Sequence, residues 1–88
     1  MIINVWFYGQ FFMVAGRKQS VTLRNGSYLK ELLQIIISDH GSAMRNLLKD
    51  ESMYFITING NYISPSIYDQ KKLEEGDVVA FQPIITGG

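Results

Sequence analysis

The sequence contains no cysteine. A chain without cysteine has no disulfide framework, no thiolate nucleophile and no cysteine-based metal site. It also has a single histidine, His40, and neither a Walker-type phosphate-binding loop nor a Ser/His/Asp or Cys/His set. We therefore expect no catalytic residue, no metal and no bound cofactor, so that any sulfur chemistry must take its sulfur from another molecule.

An excess of charge of either sign is also missing. The 8 Lys and Arg residues balance the 8 Asp and Glu residues, and the basic ones are scattered along the chain. A scattered distribution gives no electrostatic footprint for a phosphate backbone, so we expect no nucleic-acid partner. The apolar runs are too short to cross a bilayer, and the first residues lack the pattern of a signal peptide. These features predict a cytoplasmic protein without a membrane partner.

The N-terminal part shows the period-two alternation of β-strands. In "MIINVWFY" the residues Ile3, Val5 and Phe7 alternate with the others, and residues 20–24 alternate again, which predicts two antiparallel strands. Residues 9–18 would form a long connecting loop. We expect some apolar side chains of this loop to fold back on the sheet, among Phe11, Phe12, Met13 and Val14.

The period then changes to that of a helix. A stripe with helical spacing is formed by Leu29, Leu32, Leu33 and Ile36. It predicts a helix over residues 28–39, with Ser27 accepting a hydrogen bond from its first amides and Gly41 ending it. Residues 42–50 predict one or two further helical turns.

The C-terminal half predicts a hairpin and a final strand. Residues 54–58 alternate, and Asn59-Gly60 is typical of a tight turn. Pro65 would stop the returning strand, and a last strand would begin after the acidic turn at 73–77 and end at Pro83. The 88 residues therefore predict one α+β domain, residues 1–88, in which a mixed sheet packs against one main helix. This is a ubiquitin-like β-grasp, in which the last strand lies beside the first and the chain leaves the sheet at Gln82.

Four stretches carry a family resemblance. They are "VWFYGQFFMVAGRKQ", "LKELLQIIISDHG", "LLKDESMYFITINGNYI" and "LEEGDVVAFQPIITGG", which together resemble the small subunit of molybdopterin synthase, a β-grasp sulfur carrier. The thiamine-pathway sulfur carriers share the fold and the Gly-Gly end, but they usually lack the long first loop and the proline before the tail. The sequence departs from the family pattern at Gln82 and Ile84, where a second aromatic residue and a second proline are usual.

The resemblance implies a function for the C-terminal tail. The Gly88 carboxylate would be adenylated with ATP by an activating enzyme and converted to a thiocarboxylate with sulfur from a donor protein. The tail would then enter the large subunit of molybdopterin synthase, in a heterotetramer, and donate its sulfur to a cyclic pyranopterin. This carrier would be a non-catalytic subunit of that enzyme.

Two kinds of residue would perform this task. Gly87 and Gly88 would carry the sulfur, since an extended backbone without Cβ atoms passes through a narrow channel. Partner docking is predicted for Phe81, Pro83, Ile84, Ile85 and Thr86. For Phe81 an equally good alternative is a place in the core of the last strand.

Two other functions remain open from the sequence. Instead of a molybdopterin sulfur carrier, the chain could be a ubiquitin-like modifier joined to target lysines through Gly88. It could also be a thiamine-pathway sulfur carrier. The position of His40 at the end of the predicted helix explains this residue, and we assign it no functional role. The carboxylates at 50–51, 74–75 and 77 form either an acidic docking surface or ordinary turns. Trp6 and Tyr8 lie on the strand face opposite Val5, so one of the two sets should be exposed.

Overall fold

The computed structural model describes residues 1–85. Its strands are β1 (Ile2–Phe7), β2 (Lys18–Thr22), β3 (Tyr54–Ile58), β4 (Asn61–Ile63) and β5 (Val78–Pro83). Its α-helices are α1 (Gln10–Ala15), α2 (Leu29–His40) and α3 (Ser42–Lys49), and a short 3-10 helix follows β4 at Pro65–Ile67.

The strands form one mixed sheet in the order β2-β1-β5-β3-β4. β5 lies in the centre, parallel to β1 and antiparallel to β3, while β2 and β4 pair antiparallel with β1 and β3. This arrangement is the ubiquitin-like β-grasp, and it confirms the prediction that the last strand lies beside the first. Pairing continues to Pro83, opposite Tyr54, so the expectation that the chain leaves the sheet at Gln82 is wrong.

The core lies between the helices and one face of the sheet. On the sheet side it contains Ile3, Val5, Phe7, Val79 and Phe81, all essentially inaccessible to solvent, and on the α2 side Leu29, Leu32 and Ile36. Met44 and Leu48 of α3 complete it. Each such side chain contributes about 1.5–3 kcal/mol when it is fully buried. The predicted α2 stripe is therefore core, with Leu33 at its half-buried edge.

The connection between β1 and β2 contains a helix that sequence reasoning missed. α1 spans Gln10–Ala15, and Phe11 points into the core, where its ring meets Tyr54 and Phe81 edge-on at 5.5 and 5.6 Å. The prediction that part of this loop folds back is thus confirmed for Phe11, whereas Phe12 and Met13 are exposed. Phe11, Val14 and Ala15 have helical spacing and all pack on the core, but a helix of six residues shows fewer than two turns of this stripe, which is too little to predict it from the sequence.

Strand β2 begins and ends two residues earlier than predicted. It spans Lys18–Thr22, because Lys18 already pairs with Trp6 of β1. Leu23 lies just beyond the strand, where its amide donates to the Met1 carbonyl at 2.9 Å, and its side chain is buried as the alternation indicated.

The start of α2 also differs from the prediction. The N-cap residue is Tyr28, and no side chain caps the helix. The free amides of Leu29 and Lys30 instead donate to the backbone carbonyls of Lys71 and Tyr68, at 2.8 and 3.0 Å. A distant segment therefore supplies the acceptors expected from Ser27. The other end agrees with the prediction, since Gly41 adopts φ 76° and donates to the Ile37 carbonyl at 2.7 Å.

The β3-β4 turn is braced by a buried carboxylate. Asn59 and Gly60 have φ angles of 52° and 85°, as the predicted primed turn requires. Asp77, only 8% exposed, accepts from the Asn59 side-chain amide at 2.9 Å and from the Glu74 amide at 2.8 Å. The Asn59 oxygen in turn accepts from the Val78 amide at 2.9 Å. Asp77 thus holds the turn beside the start of β5.

Two buried tyrosines differ in their hydrogen bonds. The Tyr54 hydroxyl donates to the Leu48 carbonyl at 2.9 Å. The buried Tyr68 hydroxyl has no hydrogen-bond partner within residues 1–85. Burial, with smaller contributions from Glu51 and Asp50, raises the pKa of Tyr54 to about 12, and burial raises the pKa of Tyr68 as well. Both hydroxyls are therefore kept neutral in the fold.

We expect the two Tyr→Phe variants to differ in their free energy of unfolding. Tyr54→Phe should lower the free energy of unfolding by about 1–2 kcal/mol, because it removes a hydrogen bond and leaves a buried carbonyl unpaired. Tyr68→Phe should leave stability unchanged or raise it, since it removes a buried hydroxyl without a protein partner. Urea unfolding of both variants measures the difference, and equal losses would contradict this assignment.

Candidate functional site

The candidate site is the place where the chain leaves the sheet at the end of β5. On one side the Tyr8 amide donates to the Phe81 carbonyl at 3.1 Å. On the other side the Ile84 amide donates to the Met53 carbonyl at 3.0 Å. The backbone is therefore held from both sides at Phe81, and from the β3 side as far as Ile84, one residue beyond the strand. A segment leaving this point starts from a defined position on a rigid sheet.

The predicted docking residues separate into a buried and an exposed group. Phe81 is inaccessible to solvent and meets the rings of Phe7 and Phe11 edge-on. Its side chain cannot contact a partner, so its assignment as a docking residue is corrected to the core alternative. Pro83 is half-buried, Ile84 is 40% exposed and Ile85 is 88% exposed. These three residues form an apolar approach to the tail.

Thr86, Gly87 and Gly88 lie outside the described residues. Their predicted roles, docking for Thr86 and sulfur carriage for the two glycines, therefore stay predictions. What the structure does give is the point from which they depart.

The face of the sheet opposite the helices carries an aromatic surface. One row crosses all the strands, because Trp6 pairs with both Lys18 and Ala80, and Thr57 pairs with both Ala80 and Tyr62. Tyr62 is 64% exposed and Trp6 is half-buried. Aromatic side chains at both ends of a row of small residues are typical of a recognition surface.

A second row on the same face lies next to the tail. Gln82 pairs with Phe55, and Tyr8, just beyond β1, is 44% exposed. These residues line a shallow depression together with Gly9, Pro83, Ile84 and Ile85. We call these two rows together the open face. Its first row consists of Lys18, Trp6, Ala80, Thr57 and Tyr62, and its second row of Tyr8, Gln82 and Phe55.

The sequence indicated only part of the open face. The expectation that one set on β1 is exposed holds for Tyr8, whereas Trp6 is partly covered by Lys18, whose ammonium lies 4.6 Å from the indole centroid. Phe55 and Tyr62 were missed. The alternation of Phe55 with the buried Tyr54 and Ile56 was a signal that could have found Phe55.

The histidine links two elements and shows no sign of catalysis. The His40 Nε2 lies 2.7 Å from the Gln19 Oε1, and the Gln19 side-chain amide donates to Asp39 at 2.7 Å. With its NH2 group used by Asp39, Gln19 offers an acceptor, so His40 Nε2 is the donor. The network ties β2 to the end of α2, in agreement with the prediction of a helix-end residue.

The carboxylates are mostly occupied within the fold. Besides Asp77, Glu75 accepts from the Ile2 amide at 2.9 Å, and Asp50 accepts from the Ser52 hydroxyl and amide. The Ser52 hydrogen bonds lower the pKa of Asp50. Of the two interpretations, turn and surface carboxylates fit these contacts better than an acidic docking surface. Within residues 1–85 no group of three His, Cys, Asp or Glu side chains is placed to hold a metal ion, and no helix there is long and apolar enough to span a membrane.

Comparison with solved structures defines the class of protein. The fold is similar to SAMP1 of Haloferax volcanii, with a TM-score of 0.82, 17% identity and 100% of each chain covered. It is also similar to a complex of subunits 1 and 2 of the molybdopterin-converting factor from Helicobacter pylori, with a TM-score of 0.68, 23% identity and 100% of each chain covered. A putative molybdopterin converting factor, subunit 1, from Pyrococcus furiosus has a TM-score of 0.74 and 25% identity over 96% of this chain and 98% of that one. The class is the ubiquitin-like β-grasp proteins.

Sequence comparison gives the family. The model of the ThiS family matches residues 5–88. Over 89 aligned residues the chain is 32% identical to the molybdopterin synthase sulfur carrier subunit of Chlamydomonas reinhardtii, and 100% of both chains is covered. The chain therefore belongs to the ThiS family, in the group of the molybdopterin synthase sulfur carrier subunits.

The assignment of Phe81 to the core and of Ile85 to the exposed segment can be tested by measuring the free energy of unfolding. Phe81→Ala should lower the free energy of unfolding by about 3–5 kcal/mol, since it leaves a cavity among packed rings. Ile85→Ala should change it by less than about 0.5 kcal/mol, because that side chain is exposed. Chemical denaturation measures both values, and a small effect of Phe81→Ala would restore its assignment to docking.

Proposed function

We propose that this protein carries sulfur on the carboxyl group of Gly88 during the biosynthesis of molybdopterin. The observation that carries the proposal is the exit of the chain from the central strand, held as far as Ile84 and followed by the exposed Ile85. A firmly held base beside a side-chain-free Gly-Gly end suits a group that visits the active sites of other proteins. Membership of the ThiS family supports this assignment.

The chemistry follows from the properties of a carboxylate. A C-terminal carboxyl group is ionised at neutral pH, with a pKa of about 3.5, and is a poor electrophile. Attack of its oxygen on the α-phosphorus of ATP releases pyrophosphate and forms an acyl adenylate. Hydrosulfide then displaces AMP and leaves a thiocarboxylate; a donor that delivers its sulfur as a persulfide forms an acyl disulfide first, and a thiol cleaves it to the thiocarboxylate while being oxidised to a disulfide. An activating enzyme would supply the ATP site and a donor protein the sulfur.

The thiocarboxylate must then reach the pterin substrate within the large subunit of molybdopterin synthase. The Helicobacter pylori structure similar to this chain is a complex of subunits 1 and 2 of the molybdopterin-converting factor. We infer that this chain binds a large subunit in the same way, in a heterotetramer with two carriers. The open face supplies aromatic contact area, and Ile84 and Ile85 extend that surface along the tail. Sulfur donation to a cyclic pyranopterin would take place there.

The first test follows the mass of the protein. After incubation with the cognate activating enzyme, ATP and a sulfur source, intact-mass spectrometry should show one oxygen-to-sulfur exchange, located at Gly88. Deleting Gly88 should abolish the exchange and leave the melting temperature nearly unchanged, because an end residue contributes little packing.

Each alternative function has its own outcome. An unchanged mass of the full chain would end the carrier proposal. Recovery of Gly88 in isopeptide linkage to lysines of other proteins, without sulfur transfer to a pterin, would favour the ubiquitin-like modifier. Transfer of the sulfur to a thiazole precursor in place of the pterin would favour the thiamine-pathway carrier.

The second test concerns docking. Ile85→Asp should weaken binding to the large subunit by about tenfold or more, since burying an unpaired carboxylate in an apolar contact is costly. Ile67→Asp is the matched control, because Ile67 is 38% exposed and lies on the 3-10 helix after β4, away from the residues that line the tail depression. Isothermal titration calorimetry compares them. Equal affinity of the two variants would show that Ile85 does not touch the partner.

A further inference from the structure

Gly9 lies two residues beyond β1, at the start of α1, and faces the ring of Pro83. Its backbone has φ 59° and ψ −130°, a conformation that side-chain-bearing residues rarely adopt. A Cβ atom at this position would lie 2.6 Å from the Pro83 Cγ and 3.2 Å from its Cδ. The first distance is below any that real Cβ atoms show, so the ring would have to move. The end of β1 approaches the end of β5 this closely only because residue 9 has no side chain.

The Gly9 contact completes the constraints on the departing chain. The hydrogen bond from Tyr8 to Phe81 lies just before Pro83, and the one from Ile84 to Met53 lies just after it. These bonds hold the backbone on either side, while the packing of Gly9 against the ring restricts where Pro83 itself sits. Since proline fixes its own φ, the position of its ring restricts the direction in which the chain continues, together with the hydrogen bond from Ile84 to Met53.

We propose that Gly9 is a positioning residue for the sulfur-carrying tail. Through its contact with Pro83 it sets the direction in which the chain leaves the sheet from Ile84 onward. The proposal rests on the proposed function, since the direction of the chain matters only if the terminal group must enter a partner's active site. A misplacement of about 1 Å at a reacting group can lower a rate by about 100-fold.

The test uses Gly9→Ala with Gly16→Ala as a matched control. Gly16 ends α1 with φ 81°, so alanine there is also strained, but its Cβ would meet nothing within 4 Å. We expect Gly9→Ala to lower the single-turnover rate of sulfur transfer from the thiocarboxylated carrier, at saturating large subunit, by about tenfold or more. Gly16→Ala should stay within about twofold of the wild type. Equal rates of the two variants would overturn the proposal.

A double variant distinguishes a change in the direction of the tail from a loss of stability. Pro83→Ala removes Cγ and Cδ, and the remaining Cβ would lie 3.5 Å from the added atom, an ordinary contact. Gly9→Ala/Pro83→Ala should therefore recover at least part of the loss caused by Gly9→Ala, since the contact with the ring is removed and only the backbone strain at φ 59° remains. If Gly9→Ala does not fold, recovery of folding in the double variant supports the same contact. A double variant that keeps the full loss caused by Gly9→Ala would overturn the proposal.

A second measurement does not depend on sulfur at all. The Ile84 amide, bonded to Met53, should exchange its hydrogen faster in Gly9→Ala than in Gly16→Ala, because displacement of Pro83 pulls Ile84 away from its acceptor. Amide exchange followed by NMR reports this directly, and equal protection in the two variants would overturn the proposal. Failure of the wild type to accept sulfur would end the proposed function while leaving this result to decide the role of Gly9.

Discussion

The structure depends on the pairing of β5 with two strands that are far apart in the sequence. β1 pairs with it in parallel and β3 in antiparallel orientation, so the last strand of the chain lies in the centre of the sheet. A central strand is held by hydrogen bonds along both edges, and Val79 and Phe81 are buried beneath the helices. The last described residues, Ile84 and Ile85, consequently follow directly on the central strand of the sheet.

The alternation of side chains along the sheet divides stability from recognition. Side chains that point toward the helices, such as Phe7 and Phe81, form the core, while their neighbours Tyr8 and Gln82 belong to the open face. Replacing an inward residue therefore threatens folding, whereas replacing an exposed outward residue such as Tyr62 leaves the core unchanged. Gln82, which departs from the family pattern, lies on the outward side, where a change in residue type alters recognition at little cost to the core.

Several polar side chains of the described residues form hydrogen bonds that stabilise the fold. Asp77 holds the β3-β4 turn beside the start of β5, and His40 ties α2 to β2 through Gln19. Both sets of hydrogen bonds join segments that are distant in the sequence, so these polar side chains stabilise the fold.

Local features were determined by the sequence itself. The alternation of β1, the stripe of α2 and the Asn59-Gly60 turn all depend on nearby residues, and the resemblance to the family was also visible in the sequence. Only the tertiary structure decided the features that depend on contacts between distant segments. Phe81 belongs to the core because Phe7 and Phe11 pack on it, and α1 forms because Phe11 is anchored there. Lys71 and Tyr68 replace Ser27 at the start of α2, and Gly9 meets Pro83 across the end of the sheet. No local pattern encodes contacts between residues that lie from 38 positions (Lys30 and Tyr68) to 74 positions (Gly9 and Pro83) apart, so these details emerge only when the strands assemble.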